Sequence, residues 1–160
     1  MAAAPLPRTG RRLAIAAAIV AFGTACGDDA TGVPLRCEDA TRLQIGETVE
    51  GTLATGDARF AGAFVDYFAV HVTRSRRLMV TMASTEVDPL VLVFGDEGTV
   101  VQQAFQPVGS PPGTLETASL ARAFAPGCTL LGASSWVPRA EGAYTVAVEP
   151  DTTALMPAGR

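Results

Sequence analysis

The chain has 160 residues, with twelve arginines, no lysine, sixteen acidic residues and a formal net charge of −4. No basic run interrupts this acidic balance, which argues against a nucleic-acid partner. One histidine excludes a histidine-rich zinc site, and three cysteines allow at most one intramolecular disulfide.

Residues 13–22, Leu-Ala-Ile-Ala-Ala-Ala-Ile-Val-Ala-Phe, carry no charge and follow Arg8, Arg11 and Arg12. Small residues, Gly23-Thr24-Ala25, come next. A basic start, an apolar stretch and a small-residue exit predict a signal-peptide helix within residues 1–25, too short to span a membrane. Phe22-Gly23-Thr24-Ala25-Cys26 resembles the lipobox of bacterial lipoproteins, with Gly23 where that family usually has an aliphatic residue. The resemblance implies cleavage before Cys26, a diacylglycerol on its thiol and an acyl chain (palmitate, for example) on its amino group. The protein would then be exported and lipid-anchored to the bacterial cell envelope, at the inner or outer membrane. The alternative is an ordinary secreted protein cut near Ala25.

Without residues 1–25, 135 residues remain, with nine arginines against sixteen acids and a net charge of −7. That is the size of one domain with a real core. If Cys26 is lipidated, Cys37 and Cys128 are left as a pair, and an oxidising compartment permits their disulfide. The bond would close a loop of about 90 residues, contributing roughly 4–5 kcal/mol in the chain-entropy model. Two free buried thiols are the alternative.

Residues 26–40 read as the lipidated cysteine and a short tether, residues 41–150 as the domain, and residues 151–160 as a frayed tail. Leu43-Gln44-Ile45 and residues 48–53 alternate, and Thr55-Gly56-Asp57 turns. In residues 65–73, Phe68, Val70 and Val72 share one strand face, with Tyr67, Ala69 and His71 on the other. Arg74, Arg76 and Arg77 read as a solvated hairpin end before a strand with Leu78, Val80 and Met82 on one face. Leu90-Val91-Leu92-Val93-Phe94 is apolar on both faces and suits a central strand. Gly95-Asp96-Glu97-Gly98 makes a hairpin loop into Thr99-Val100-Val101. Three prolines and two glycines in residues 106–114 make that stretch a surface loop. Further strands are predicted over 117–122, 128–133 and 142–149. No helix is predicted after the signal. This pattern gives an all-β, antiparallel, two-layer, jelly-roll-like β-sandwich. Its core is predicted to hold Phe68, Val70, Leu78, Val80, Leu92, Phe94, Leu130, Tyr144, Val146 and Val148.

The order of segments carries a second resemblance. Leu43-x-Ile45-Gly46-Glu47-Thr48-Val49-x-Gly51-x-Leu53 is followed by Asp66-Tyr67-Phe68-Ala69-Val70 and by Leu78-x-Val80. Then come Asp88-Pro89-Leu90-Val91-Leu92 and Gly142-Ala143-Tyr144-Thr145-Val146. This succession, over residues 42–149, resembles the bacterial pre-peptidase C-terminal domain family. The resemblance implies a jelly-roll-like sandwich without catalysis of its own. Relatives bind polysaccharide or collagen, and some bind calcium. Here no protease domain accompanies it.

Candidate chemistry is sparse. A serine-histidine-acid arrangement would need His71, and no serine stands in a G-x-S-x-G context. The ordinary place for His71 is an edge or surface. No cofactor is required by the sequence. Calcium is conceivable at Asp66 and Asp88, which would converge if their strands were neighbours, although no EF-hand spacing exists. Trp136 precedes Val137-Pro138-Arg139 near a strand end, and Tyr67, Phe105 and Phe124 are further aromatic candidates. Exposed, Trp136 with Arg139 would stack on a sugar or anchor a peptide; buried, it would close the end of the core. The sequence therefore supports a non-catalytic, envelope-anchored binding module for glycan, peptide or another envelope protein. A structural or assembly lipoprotein is the alternative, and a hydrolase dependent on His71 a distant third.

Overall fold

The computed structural model describes residues 36–105, 111 and 113–152. The signal stretch, Cys26, most of the proline-rich loop and the end of the tail lie outside these residues. A one-turn 3-10 helix, Cys37–Asp39, opens the described chain. Ten strands follow: β1 Thr41–Arg42, β2 Thr48–Leu53, β3 Ala58–Phe60, β4 Ala63–Val72, β5 Arg76–Ser84, β6 Pro89–Phe94, β7 Val100–Phe105, β8 Glu116–Phe124, β9 Gly127–Ser135 and β10 Gly142–Pro150.

They form two sheets packed as a sandwich. The first has the order β1-β4-β9-β6-β7, with β3 also pairing β4, and the second has the order β2-β10-β5-β8. All pairings are antiparallel except the short β1–β4 pair, where Thr41 faces Phe68 in parallel register. The expected β-sandwich is therefore observed, with one parallel edge.

The interior follows from alternation. Phe64, Phe68, Val70 and Val72 of β4, Leu78, Val80 and Met82 of β5, and Tyr144, Val146 and Val148 of β10 are buried together between the sheets. Burying a large aliphatic or aromatic side chain stabilises by about 1.5–3 kcal/mol. Leu92, Phe94 and Leu130 are also buried, but on the other face of the first sheet, with Val65, Tyr67 and Leu90. Phe60 of β3, Ala40 and Val100 pack over this outer cluster, and the Phe60 ring meets Phe94 edge-on at 5.4 Å. Residues 90–94 are apolar throughout because β6 is buried on both faces.

One turn matches expectation and one does not. The β6–β7 loop is the predicted hairpin, closed by Gly95 N–H donating to Thr99 C=O at 2.8 Å. The arginine turn is not a hairpin end: β4 lies in the first sheet and β5 in the second, so the bend carries the chain across the sandwich. There Arg77 Nε pairs with Asp151 Oδ2 at 3.0 Å. Asp151 is buried and its N–H donates to Arg77 C=O, so the domain continues past residue 150.

At the N-terminal side, Cys37 and Cys128 form the predicted disulfide, with 6.4 Å between Cα atoms, inside the usual range. Cys37 thus belongs to the folded domain and not to the tether.

Candidate binding site

β9 relates the two ends of the molecule. Cys128 stands at its beginning and Trp136 directly after its end. Three groups of polar or aromatic side chains are not explained by packing alone.

The first is aromatic. Phe105 ends the edge strand β7, and its partner in register is Leu90 on the outer face of the first sheet. Trp136 leaves β9 on the same side, and the two rings stack with centroids 4.5 Å apart and planes 17° apart. Each residue is 45% exposed, and Val137 beside them is 41% exposed. Trp136 N–H donates to Asp88 C=O at 3.0 Å, which fixes the backbone beneath the indole. Arg139 is exposed in the turn from Val137 to Ala140, which is closed by a 3.2 Å bond, and has a left-handed φ of 59°. The structure thus places Trp136 at the surface, with Arg139 in the turn it opens. Tyr67 does not join them. It is buried in the outer cluster against Phe94, and its hydroxyl has no hydrogen-bond partner. Burial pushes that phenol up to about 12. Phe124 is core. The sequence offered Phe105 only as a further aromatic candidate and could not reveal a stacking partner 31 positions away.

The second group is the inward-facing pair Asp66 and Tyr144. Tyr144 O–H donates to Asp66 Oδ2 at 2.5 Å across the space between the sheets. Burial raises the Asp66 carboxyl above its ordinary 3.8, the Tyr144 hydrogen bond lowers it, and the Asp57 charge raises it. Burial, and then the Asp66 carboxylate, raise the Tyr144 phenol.

The third group is Asp88 with Glu116. Burial and the neighbouring Glu116 carboxyl raise the Asp88 pKa. Glu116, at the start of β8, is 8% exposed, and its Oε2 has no hydrogen-bond partner. Asp66 and Asp88 do not converge, because β9 lies between β4 and β6 and Asp66 turns inward to Tyr144. Among the described residues, no three histidine, cysteine or acidic side chains gather closely enough to hold a metal ion.

His71 is exposed on β4, opposite Cys128. A shallow groove of about 470 Å³ crosses the outer face of the second sheet, lined by Glu50, Thr52, Ala83, Thr145 and Leu115 among others. Sequence reasoning did not single it out, although Thr and Ala at alternate positions of β2, β5 and β10 mark a face with little side-chain bulk.

No family model matches the sequence, and no curated protein matches it. Among solved structures, the fold is similar to the pre-peptidase C-terminal domain of a collagenase from Bacillus anthracis. Identity is 16%, coverage is 68% of this chain and 93% of that one, and the TM-score is 0.52. A family 35 carbohydrate-binding module from Cellvibrio japonicus matches with 15% identity, 65% and 97% coverage and a TM-score of 0.39. PliG, a periplasmic inhibitor of g-type lysozyme from Aeromonas hydrophila, matches with 10% identity, 68% and 96% coverage and a TM-score of 0.39. At 16% identity the likeness to the collagenase domain is one of fold: a distant structural match to a pre-peptidase C-terminal domain.

Proposed function

We propose that this protein is a non-catalytic binding module, anchored to the cell envelope through Cys26, that holds a glycan on the Trp136–Phe105 platform. The observation that carries the reading is the stacked, half-exposed ring pair. Exposed aromatic area has no folding use, whereas an indole face packs well against the C–H face of a sugar ring. Phe105 backs the indole, so the ring is held in place before a ligand arrives, and less ordering entropy is lost on binding. Arg139 in the adjoining turn supplies donors for hydroxyl or carboxylate oxygens.

The non-catalytic part rests on where the reactive groups are used. The Asp66 carboxylate accepts from Tyr144, and the two domain cysteines are joined. His71 stands on β4 at the Cys128 end, away from the platform. The anchor rests on the signal-like stretch and on the lipobox-like residues ending at Cys26.

Sedimentation of the protein with insoluble polysaccharides, followed by titration against the soluble form of any that binds, tests the platform. Trp136→Ala should weaken binding by roughly ten-fold or more, the loss of one central aromatic anchor. Loss of the ring stack, about 0.5–1.5 kcal/mol, should lower its melting temperature by only a few degrees, so the fold persists. Equal binding by wild type and Trp136→Ala would remove the platform from the function. Intact mass of membrane-extracted protein tests the anchor: a chain starting at Cys26 with added acyl mass is expected, and an unmodified Cys26 would refute it.

A further inference from the structure

β7 ends the first sheet, and β6 is its one neighbour in that sheet. A strand in that place turns every second pair of backbone N–H and C=O groups outward, where another chain can pair with them. Folded proteins commonly guard such edges with charges. Among the described strands the other edges are guarded in this way. β1 carries Arg42, β3 carries Arg59, β2 carries Glu50, and β8 carries Glu116 and Arg122. β7, Val100-Val101-Gln102-Gln103-Ala104-Phe105, has neither a charge nor a proline. Its one irregularity is the register shift opposite Val93 and Phe94, and residues 102–105 pair with β6 without a break.

The register assigns the faces of this edge. Phe105 and Gln103 lie opposite Leu90 and Leu92 of the outer cluster, and so share its face. Ala104 and Gln102 lie opposite the core residues Val91 and Val93. Alternation from Gln102 then puts Val101 on the outer face, in line with Gln103 and Phe105. Val101 is 53% exposed, and Gln102 and Gln103 are exposed beside it. Of the five large apolar side chains exposed among the described residues, Val101, Phe105, Trp136 and Val137 lie on this edge or directly beside it. Apolar surface gathered in one place marks a contact, whereas single exposed residues do not.

We infer that β7 pairs antiparallel with β7 of a second copy of this chain, about a two-fold axis at Gln103, so that the first sheet runs on through both molecules. Directly opposed side chains of an antiparallel pair share a face, and a two-fold axis normal to the sheet keeps both outer faces on the same side. A residue on the outer face must therefore oppose another on the outer face. Centred on Gln103, the pairing sets Val101 of each copy against Phe105 of the other, on either side of two opposed amides. Aliphatic–aromatic pairs of this kind stabilise a ladder. Centred on Gln102, it would waste Val101 on Gln103. Charge favours a second copy as the occupant. Two acidic chains, each with a formal net charge of −4, meet at least cost where neither presents a charge, and a strongly charged partner would find nothing on β7 to pair with. The contact is small, so the dimer is weak and depends on concentration. The inference does not rest on the glycan reading, although Phe105 is common to both. Where both hold, the dimer sets two platforms on one face, their Phe105 residues four strand steps apart, about 14 Å.

The test is sedimentation equilibrium of the full chain from about 1 μM to about 1 mM. It is run in density-matched detergent, with micelles in large excess so that an anchor at Cys26 does not pair chains by itself. A mass rising from one chain to two is expected, with amide exchange of residues 101–105 slowing over the same range. Gln103→Lys and Gln103→Glu should each weaken self-association roughly ten-fold or more, because each opposes two like charges at the axis. An equimolar mixture of the two variants should dimerise again, since the introduced charges are then opposite. Position 103 is exposed, so both variants should fold; should either fail, mass and amide exchange of the unaltered protein still decide. A monomer at every concentration overturns the inference, whether β7 then stays bare or is covered by a glycan or another protein. So does a dimer whose β7 amides exchange as fast as those of the monomer. A dimer that survives both substitutions, or a mixture that stays monomeric, overturns it equally.

Discussion

Asp66 sits on the inward face of β4, between Phe64 and Phe68, where water cannot fully hydrate its charge. Its folded pKa is raised above 3.8, chiefly by burial, with the Tyr144 hydroxyl opposing the shift. The folded state therefore binds the proton more tightly than the unfolded state does. The sign follows: no stability is lost below pH 3.8, and stability falls as pH rises toward and through the raised value. Asp66→Asn keeps an oxygen acceptor for Tyr144 and removes the charge. Its stability relative to wild type should not change with pH below about 3.8, should improve as pH rises from there through the raised Asp66 pKa, and should then level off, read from urea midpoints across that range. A difference that stays flat with pH would mean the Asp66 charge is adequately solvated in the fold. Asp66 was legible in the sequence as a polar residue at a strand start. Its inward direction follows from alternation with Phe68 and Val70. Its partner is 78 positions away and could not be read without knowing which strands face each other.

β2 and β10 show how one element accommodates another. Gly51 and Tyr144 are direct cross-strand partners on the inward face. A Cβ at position 51 would stand 2.3 Å from the Tyr144 ring and hydroxyl. The missing side chain is what lets the phenol pass over β2 and reach Asp66. Tyr144 is 3% exposed and held by its hydrogen bond, so it has little room to yield. Gly51→Ala should therefore cost about 1–3 kcal/mol by overpacking, measured as a shift of the urea midpoint at constant slope. An unchanged midpoint would mean that Tyr144 swings aside freely. The elements most legible in the sequence were those with sustained alternation: β4, β5 and β10. β3 was missed because Ala58-Arg59-Phe60 is too short for a period to register. The arginine turn was misread because alternation gives the face of a strand but not the sheet to which it belongs.

For the whole molecule, β-sandwich architecture was legible because turn residues punctuate a chain without helical periodicity. The order of strands was not, since it depends on long-range pairings such as β4–β9 and β2–β10. The disulfide was legible from cysteine arithmetic, and its geometry explains its use. It ties the one-turn helix at Cys37 to the start of β9, across a sequence separation of 91. Removing it, as Cys37→Ser with Cys128→Ser, should lower stability by about 2–5 kcal/mol, most of it by freeing the unfolded chain. Urea unfolding of the double variant measures this. An unaltered midpoint would mean that residues 36–43 dock without help from the cross-link.

The course of β9 between the disulfide and Trp136 has a mechanical consequence. Eight residue-to-residue steps separate Cys128 from Trp136, roughly 26 Å at the usual rise per residue. A pull between a membrane tether entering at Cys37 and a ligand seated on Trp136 would be transmitted through the covalent bridge and then along this strand. β9 is flanked by β4 and β6, both antiparallel to it. With both points of load on one strand, the covalent backbone of β9 carries the pull, and the flanking ladders keep that strand extended and in register. The same load bypasses the edge strands β2, β7 and β8 altogether. Under the anchor and platform proposed above, β9 is the tie-rod between them.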